Sequence, residues 1–263
     1  MDKKKLEQIA GNPRMIVGVH NYCDRWCERC RLASRCSVFA IEQSETPHPE
    51  ARDSENAAFW DYLHDIFSAT LEMATEWAEK NGVDLDEPMP DDYLALRAQV
   101  DEETRQHPLM AAASAYRERV RTWFSQMDEP YKNRAEQAEL EYRLELPAAH
   151  PEAELAELNE ITEVVQWYHT LIVAKLHRAT HQTIERELTG EEDITGDANG
   201  SAKIALISMD RSLAAWVLMR NHFPDKEEAI LDFLVQLERL RRATEKMFPN
   251  ARVFKRPGFD DAA

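Results

Sequence analysis

The chain has 263 residues and carries 49 acidic against 32 basic side chains, a formal net charge of −17 at neutral pH. This length allows one large domain or two small ones, each with its own core. A surface this acidic repels phosphate backbones, which supply most non-specific affinity for nucleic acids. We therefore expect no nucleic-acid partner. The most apolar run, residues 204–219, contains Asp210 and Arg211, so no membrane-spanning segment is expected.

The N-terminal residues 1–8, MDKKKLEQ, are charged, and no apolar signal core follows them. We therefore expect a cytoplasmic protein, in a compartment where structural disulfides are rare. Glycine is scarce, with seven residues in the whole chain. A phosphate-binding glycine loop, a dinucleotide fingerprint and a nucleophile elbow are missing, so the sequence carries no enzyme signature.

All four cysteines lie within fourteen residues, at Cys23, Cys27, Cys30 and Cys36, with gaps of three, two and five residues. Cysteines that serve only packing are scattered singly among apolar neighbours, and a disulfide framework joins distant elements. Gaps this short allow four sulfurs to meet at one centre without help from the rest of the chain. The four cysteines are thus predicted to bind one metal ion or iron–sulfur cluster.

The spacing leaves the identity of that centre open. The gap of two between Cys27 and Cys30 forms a zinc knuckle, but gaps of three and five are unusual partners for it. A four-iron cubane is wider and tolerates uneven gaps. Gaps of two and then five resemble the last three ligands of the cluster loop in helix-hairpin-helix DNA glycosylases, although the first gap differs there. The first three cysteines resemble the ligand set of radical S-adenosylmethionine enzymes. Both resemblances are confined to this segment and favour a 4Fe-4S cluster as cofactor, with one structural zinc as the alternative.

The cysteine segment is basic, whereas the rest of the chain is acidic. Residues 1–36 hold eight lysines and arginines against four acids, a net charge of +4, which leaves −21 for the remainder. Four arginines lie between or beside the cysteines: Arg25, Arg29, Arg31 and Arg35. Four thiolates on zinc or on an oxidised cubane leave about two negative charges, which guanidinium groups offset. The basic segment can also bind its own acidic bundle or an acidic partner.

Beyond the cysteines the sequence has helical periodicity punctuated by proline. Helices are predicted over residues 54–80, 90–106, 107–127, 130–146, 151–188, 202–222 and 226–248. Asn81-Gly82 and Gly190 are typical helix ends, and residues 190–200 are predicted to form an acidic loop. The predicted fold is an all-α bundle of six or seven helices in residues 51–263, preceded by a cysteine-rich cluster-binding arm in residues 1–50.

The first of these helices carries apolar residues at helical spacing, and two later helices carry polar residues on apolar faces. The apolar set is Phe59, Leu63, Ile66, Phe67, Leu71, Ala74 and Trp77. Asp210 and Arg211 interrupt the most apolar helix, which predicts an ion pair to another helix or, alternatively, a polar site inside the bundle. His169 lies on the stripe of Val165 and Ile172, so it is the candidate partner of Asp210 in such a site.

Two further sets of possible metal ligands occur in the sequence. His177, His181 and Glu185 are spaced at fours and share a helix side, but they lack the glutamate arrangement of zinc proteases and are more typical of a solvated face. A ferritin-like di-iron site needs a glutamate three residues before a histidine on two helices. The chain offers only Glu45 with His48, in a proline-containing stretch that is not helical, and Asp61 with His64 on a single helix, so the full ligand set is absent.

Three hypotheses follow for the function. The first is an iron–sulfur protein whose Cys23, Cys27, Cys30 and Cys36 hold one 4Fe-4S cluster for electron transfer or redox sensing with a redox partner protein. The second is an interaction module in which zinc only folds the arm. The third is an enzyme whose substrate binds near His169 and Asp210.

Overall fold

This computed structural model describes residues 3–44, 55–144, 150–190 and 196–260. These residues form nine α-helices and four short 3-10 turns, and they contain no strand. The helices are α1 Lys3–Ala10, α2 Ser37–Ser44, α3 Ala57–Asn81, α4 Asp91–Gln106, α5 Pro108–Phe124, α6 Asp128–Arg143, α7 Pro151–Thr189, α8 Asp197–His222 and α9 Glu227–Met247. The predicted all-α fold is confirmed. The described helices outnumber the predicted six or seven because α1 and α2 form ahead of the first predicted helix.

The chain divides into two compact units. One consists of Met1–Leu94 with Lys255–Ala263, and the other of Ala95–Phe254. The first unit therefore takes in the C-terminal segment as well as the cysteines. The predicted domain boundary at residue 50 lies outside the described residues.

Several helices begin and end where the local sequence indicated. Pro108 opens α5 directly after His107, whose Nδ1 accepts a hydrogen bond of 3.2 Å from the amide of Leu109. Gly82 ends α3 and Gly190 ends α7, both with positive φ, at 68° and 73°. Glycine reaches this left-handed conformation without steric cost, so the predicted stops at Asn81-Gly82 and Gly190 are confirmed.

The core of the second unit is built around α8, which packs against α7 and α9. Its central residue is Trp216, whose ring stacks on Phe233 of α9 with the centroids 4.3 Å apart. The Trp216 indole N–H donates a hydrogen bond of 3.1 Å to the hydroxyl of Tyr116 on α5. The indole donor is thereby paired with the phenol oxygen, which offsets part of the cost of burying these two large amphipathic rings fully.

The predicted acidic loop over residues 190–200 is wrong at its C-terminal end, because α8 begins at Asp197. The carboxylate of Asp197 accepts hydrogen bonds of 2.8 and 2.5 Å from Arg178 of α7. Gly200 and Ser201 are buried in the first turns of the helix. Packing against α7 thus overrides the turn preference of the Asn199-Gly200 pair.

On α3 the apolar periodicity predicted the helix correctly, but the apolar residues are not all buried. Phe59, Leu63 and Ile66 are half-buried. In contrast, the side chains of Phe67, Leu71 and Trp77 are exposed. Lys3 of α1 pairs with Glu76 of α3, and its ammonium lies 3.7 Å from the Glu72 carboxylate. One side of α3 therefore contacts α1, while another side leaves large apolar groups accessible.

Within the described helices, none combines the length and the apolar character that crossing a bilayer requires.

Candidate metal centre

The four cysteines follow one another through a series of tight turns between α1 and α2. Cys23 ends the 3-10 turn Val19–Tyr22, and Cys27 begins the turn Cys27–Arg29. The amide of Cys30 donates to the carbonyl oxygen of Cys27 at 3.2 Å, and that of Cys36 donates to Ala33 at 3.1 Å. These short backbone bonds fold fourteen residues tightly enough that all four free thiols line one cavity. Its empty volume is about 300 Å³, part of it open to solvent.

One turn in the segment places a non-glycine residue in the left-handed region. Arg25 has φ of 59°, the one positive value outside glycine in the described part of the chain. The amide of Trp26 donates to the Asp24 side chain at 3.3 Å, and the guanidinium of Arg29 lies 4.0 Å from the centre of the Trp26 ring. A positive φ costs an arginine conformational energy, so the reversal of the chain between Cys23 and Cys27 is held by its surroundings.

The four sulfurs differ in exposure. Cys23 and Cys36 are buried, whereas Cys27 and Cys30 are half-buried. The Cys23 thiol donates to the carbonyl oxygen of His20 at 3.4 Å, and the amide of Leu32 donates to the Cys30 sulfur at 3.4 Å. An amide directed at a cysteine sulfur stabilises a thiolate, as the sulfurs of metal and cluster sites require.

Burial raises the pKa of the Cys27 thiol to about 11, with the negative charge of Glu42 and the Cys23 sulfur adding to the rise, and Arg25 opposing it. Without a bound cation this thiol is therefore protonated at neutral pH. A metal binds the thiolate, so binding would release the proton and add positive charge beside that of Arg25.

An apolar shell surrounds the cavity. Val19, Leu32 and Cys36 form its buried part, and other apolar residues pack against them: Ile16, Cys30, Val38, Phe39 and Phe259. Phe259 comes from the C-terminal segment and also lines the cavity. The guanidinium of Arg256 pairs with Asp260 at 2.9 Å and lies 4.8 Å from the centre of the Phe259 ring.

The sequence does not predict this contribution of the C-terminal segment. Pro257-Gly258 indicates a turn, but nothing in the local pattern relates Phe259 to cysteines more than two hundred residues earlier. Only a conserved co-variation between the two segments would carry such a signal.

The arrangement of the thiols stops short of a closed coordination sphere. Among the described residues, no group of three or more His, Cys, Asp or Glu side chains is close enough to hold a metal ion. The structure therefore brings the four predicted cysteines to one cavity, and the metal-binding role of the arm stays a prediction.

The predicted polar site of His169 and Asp210 is not formed, because each side chain has other partners. The Nδ1–H of His169 donates to the carbonyl oxygen of Gln166 at 2.6 Å, and burial lowers the pKa of this imidazole. Asp210 accepts hydrogen bonds of 2.5 and 3.3 Å from Arg252 and one of 3.5 Å from Arg241. Asp210 thus makes the predicted ion pair. Its neighbour Arg211 is exposed and bonds the hydroxyl of Tyr168.

The histidines and acids considered as other metal ligands do not form a group that could hold a metal ion in the described residues. The rings of His177 and His181 stack 5.9 Å apart, and Nε2 of His181 lies 3.2 Å from a carboxylate oxygen of Asp101. His64 is exposed on α3. Glu45 and His48 lie outside the described residues.

Comparison with protein families, with curated proteins and with solved structures finds no match to this chain.

Proposed function

We propose that Cys23, Cys27, Cys30 and Cys36 hold one 4Fe-4S cluster, which the protein uses for electron transfer or redox sensing. The observation that carries the proposal is that the four free thiols line a single cavity. Four cysteines are the complete ligand set of such a cluster, and the chain has no fifth cysteine to exchange with them.

The surroundings of the cavity support this choice. Leu32 supplies an amide to the Cys30 sulfur, and the apolar side chains of Val19, Phe39 and Phe259 limit the access of water. Hydrogen bonds to sulfur, burial and nearby charge are the means by which a protein sets the reduction potential of a cluster. When bound, the cluster would supply one-electron redox chemistry at this place.

The half-buried pair of Cys27 and Cys30 marks the side from which electrons would enter or leave. Cys23 and Cys36 are buried, so the protein shields their sulfurs more than those of Cys27 and Cys30. A redox partner would therefore approach the turn Cys27–Arg29, where the exposed Glu28 is outweighed by the exposed Arg25, Arg29 and Arg31. An acidic partner surface fits this side best.

Structural zinc is the second candidate, and the turn between Cys27 and Cys30 favours it. The backbone bond across this turn and the amide of Leu32 directed at the Cys30 sulfur suit a zinc knuckle as well. In that case the centre would fold the arm of an interaction module and would carry no electrons. The two candidates differ in composition, which makes them easy to separate.

The deciding experiment is purification without oxygen, followed by measurement of iron, acid-labile sulfide, zinc and the visible spectrum. About four irons and four sulfides per chain are expected, with absorption in the visible range. One zinc and no sulfide would contradict the cluster and leave the interaction module. A protein that contains neither iron nor zinc would contradict both candidates.

Replacement of each cysteine by serine tests the ligand set. Each of the four variants should lose the iron and the visible absorption, while the helical signal of the second unit remains because its core is built from other residues. Ser34→Ala in the same segment is the matched control and should keep the iron and the visible absorption. A Cys36→Ser protein with unchanged iron and spectrum would show that only three cysteines bind. Such an open iron position would favour substrate chemistry.

A further inference from the structure

The C-terminal residues 256–260 form a compact turn that is held together by contacts within the segment. The amides of Phe259 and Asp260 donate to the carbonyl oxygen of Arg256 at 3.2 and 3.1 Å. The Arg256 guanidinium pairs with the Asp260 carboxylate at 2.9 Å and lies 4.8 Å from the centre of the Phe259 ring. The segment can therefore keep its shape and move as one piece. We refer to residues 256–260 as the clasp.

The clasp is attached to the turns that carry the cysteines at three places. The exposed Arg31 donates a hydrogen bond of 2.8 Å to the carbonyl oxygen of Phe259, and the Phe259 ring lines the cysteine cavity. Gly258 lies so close to Ile16 and Leu32 that an added Cβ atom would be 2.6 and 3.1 Å from their side chains. A single hydrogen bond from an exposed side chain contributes little, so the attachment depends mainly on the packing of Gly258 and Phe259.

The core on which Phe259 packs is small and contains two of the predicted ligands. Val19, Leu32 and Cys36 form its buried part, and Cys30 is packed against them. The cavity of about 300 Å³ lies beside these few residues. Space that is not filled costs the lining side chains their packing contacts. A centre held by the cysteines would fill this space, so Phe259 should be held more firmly when the cavity is loaded than when it is empty.

The chain just before the clasp is fixed by a contact that does not involve the cysteines. The carbonyl oxygen of Phe254 accepts a hydrogen bond of 2.6 Å from the ammonium of Lys203, and both residues belong to the second unit. The clasp itself belongs to the first unit. A change at the cavity should therefore alter the attachment of the clasp and leave Phe254 in place.

We propose that the clasp reports the state of the metal centre. It is docked through Arg31 and Phe259 while the four cysteines hold a centre, and it is released when the centre is lost. The proposal rests on the proposed function in one respect, that the four cysteines bind a centre, and it holds for a cluster and for zinc. Whatever a bound centre adds to the docking of the clasp, the docked clasp adds to the retention of the centre. Sensing requires a change that another molecule can detect, and the release of an ordered segment is such a change.

Hydrogen exchange of the full-length protein, followed by mass spectrometry without oxygen, tests the proposal. One sample keeps its centre and the other is stripped by a chelator, and iron, acid-labile sulfide and zinc are measured in both. Removal of the centre should speed the exchange of the Phe259 and Asp260 amides by at least about tenfold. Exchange in α3 of the first unit and in α9 of the second should not change.

Two arginine variants of the loaded protein test the attachment itself. Arg31→Gln removes the bond to Phe259 and should speed exchange in the clasp by at least about threefold. Arg35→Gln is the matched control, because it removes the same charge from the same segment but donates to the carbonyl oxygen of Arg14, at 3.3 Å. Its clasp should exchange as that of the parent does.

The proposal is overturned, and the proposed function stands, if a protein that binds a centre shows the same exchange in the clasp with and without it. Equal acceleration in α3 would also overturn the proposal, because the centre would then hold the whole first unit and not the clasp in particular. The same holds if Arg35→Gln speeds exchange as much as Arg31→Gln. A protein that binds neither iron nor zinc would contradict both the clasp and the proposed function.

Discussion

Arg31 donates a hydrogen bond of 2.8 Å from its guanidinium to the main-chain carbonyl oxygen of Phe259, 228 positions later in the chain. This bond joins the cysteine segment to the C-terminal segment, and the Phe259 ring on the same residue lines the cysteine cavity. The wall of the candidate centre is therefore made from both ends of the chain. Changes in the C-terminal segment should consequently alter the centre without touching a cysteine.

Gly258→Ala tests how closely the two segments are packed. Gly258 has φ of 72°, and a Cβ atom added there would lie 2.6 Å from Cδ1 of Ile16 and 3.1 Å from Cδ1 of Leu32. The matched control is Gly82→Ala, in the same unit, because Gly82 has φ of 68° and open space around it. Both variants bear the cost of a left-handed alanine, about 1–2 kcal/mol, but only Gly258→Ala adds a steric cost of about 1–3 kcal/mol. Thermal unfolding of the full-length protein should show a larger loss of stability for Gly258→Ala than for Gly82→Ala. Equal losses of stability would contradict the close packing of Gly258 on Ile16 and Leu32.

Phe259→Ala should open the cavity to solvent and leave the four cysteines in place. If the cluster is present, we expect it to assemble at nearly the same level and to be lost faster in air or to a chelator, because solvent access is one of the factors that the surrounding shell controls. The rate of bleaching of the visible absorption measures this loss. Val253→Ala, at an exposed valine, is the control and should bleach as the parent does. A Phe259→Ala protein with unchanged bleaching would show that the ring does not shield the centre.

Tyr116→Phe should change the alkaline stability of the second unit. Burial raises the pKa of Tyr116 above its ordinary value, so the folded state keeps the phenol proton at a pH where the unfolded state loses it. The stability contributed by the protonated phenol is therefore present below about pH 10 and is lost as the pH rises above that value. The phenylalanine variant should be less stable by about 1–3 kcal/mol at neutral pH, since the Trp216 N–H loses its acceptor.

The difference in stability between Tyr116→Phe and the parent should narrow as the pH rises, which denaturant unfolding at a series of pH values would measure. Tyr142→Phe, at an exposed tyrosine of α6, is the control and should keep a nearly constant offset. A constant offset for Tyr116→Phe would mean that this phenol does not control the alkaline loss.

Asp210→Asn should have a small, purely structural effect. Asp210 pairs with Arg252 and Arg241, and 39% of its side chain is exposed, so solvent screens the pairs. We expect a loss below about 1 kcal/mol, reduced further by added salt, with no change in iron content. Asp225→Asn breaks an exposed pair with the adjacent Lys226 and serves as the comparison. It should lose less folding stability than Asp210→Asn. A folded Asp210→Asn protein that has lost a redox response or a ligand would revive the hypothesis of a polar site inside the bundle.

The sequence by itself determined most of the helical segments after residue 54 and the grouping of the four cysteines, but not α1, α2 or the first turn of α8. Helical periodicity, the proline that opens α5 and the glycines that end α3 and α7 are local properties, so they hold whatever the neighbouring helices do. The same is true of the short gaps between the cysteines, because a few turns of backbone suffice to bring Cys23 and Cys36 to one cavity.

Only the tertiary structure decided which helical faces are covered and what closes the cavity. Phe59 and Phe67 both belong to the apolar periodicity of α3, yet Phe59 is half-buried and Phe67 is exposed. Burial depends on a neighbouring element that the local sequence pattern does not specify. For the same reason Asp210 pairs with Arg252 and not with His169. The contribution of Phe259 required the C-terminal segment to return to the cysteines, a long-range contact whose free energy is gained only when distant residues meet.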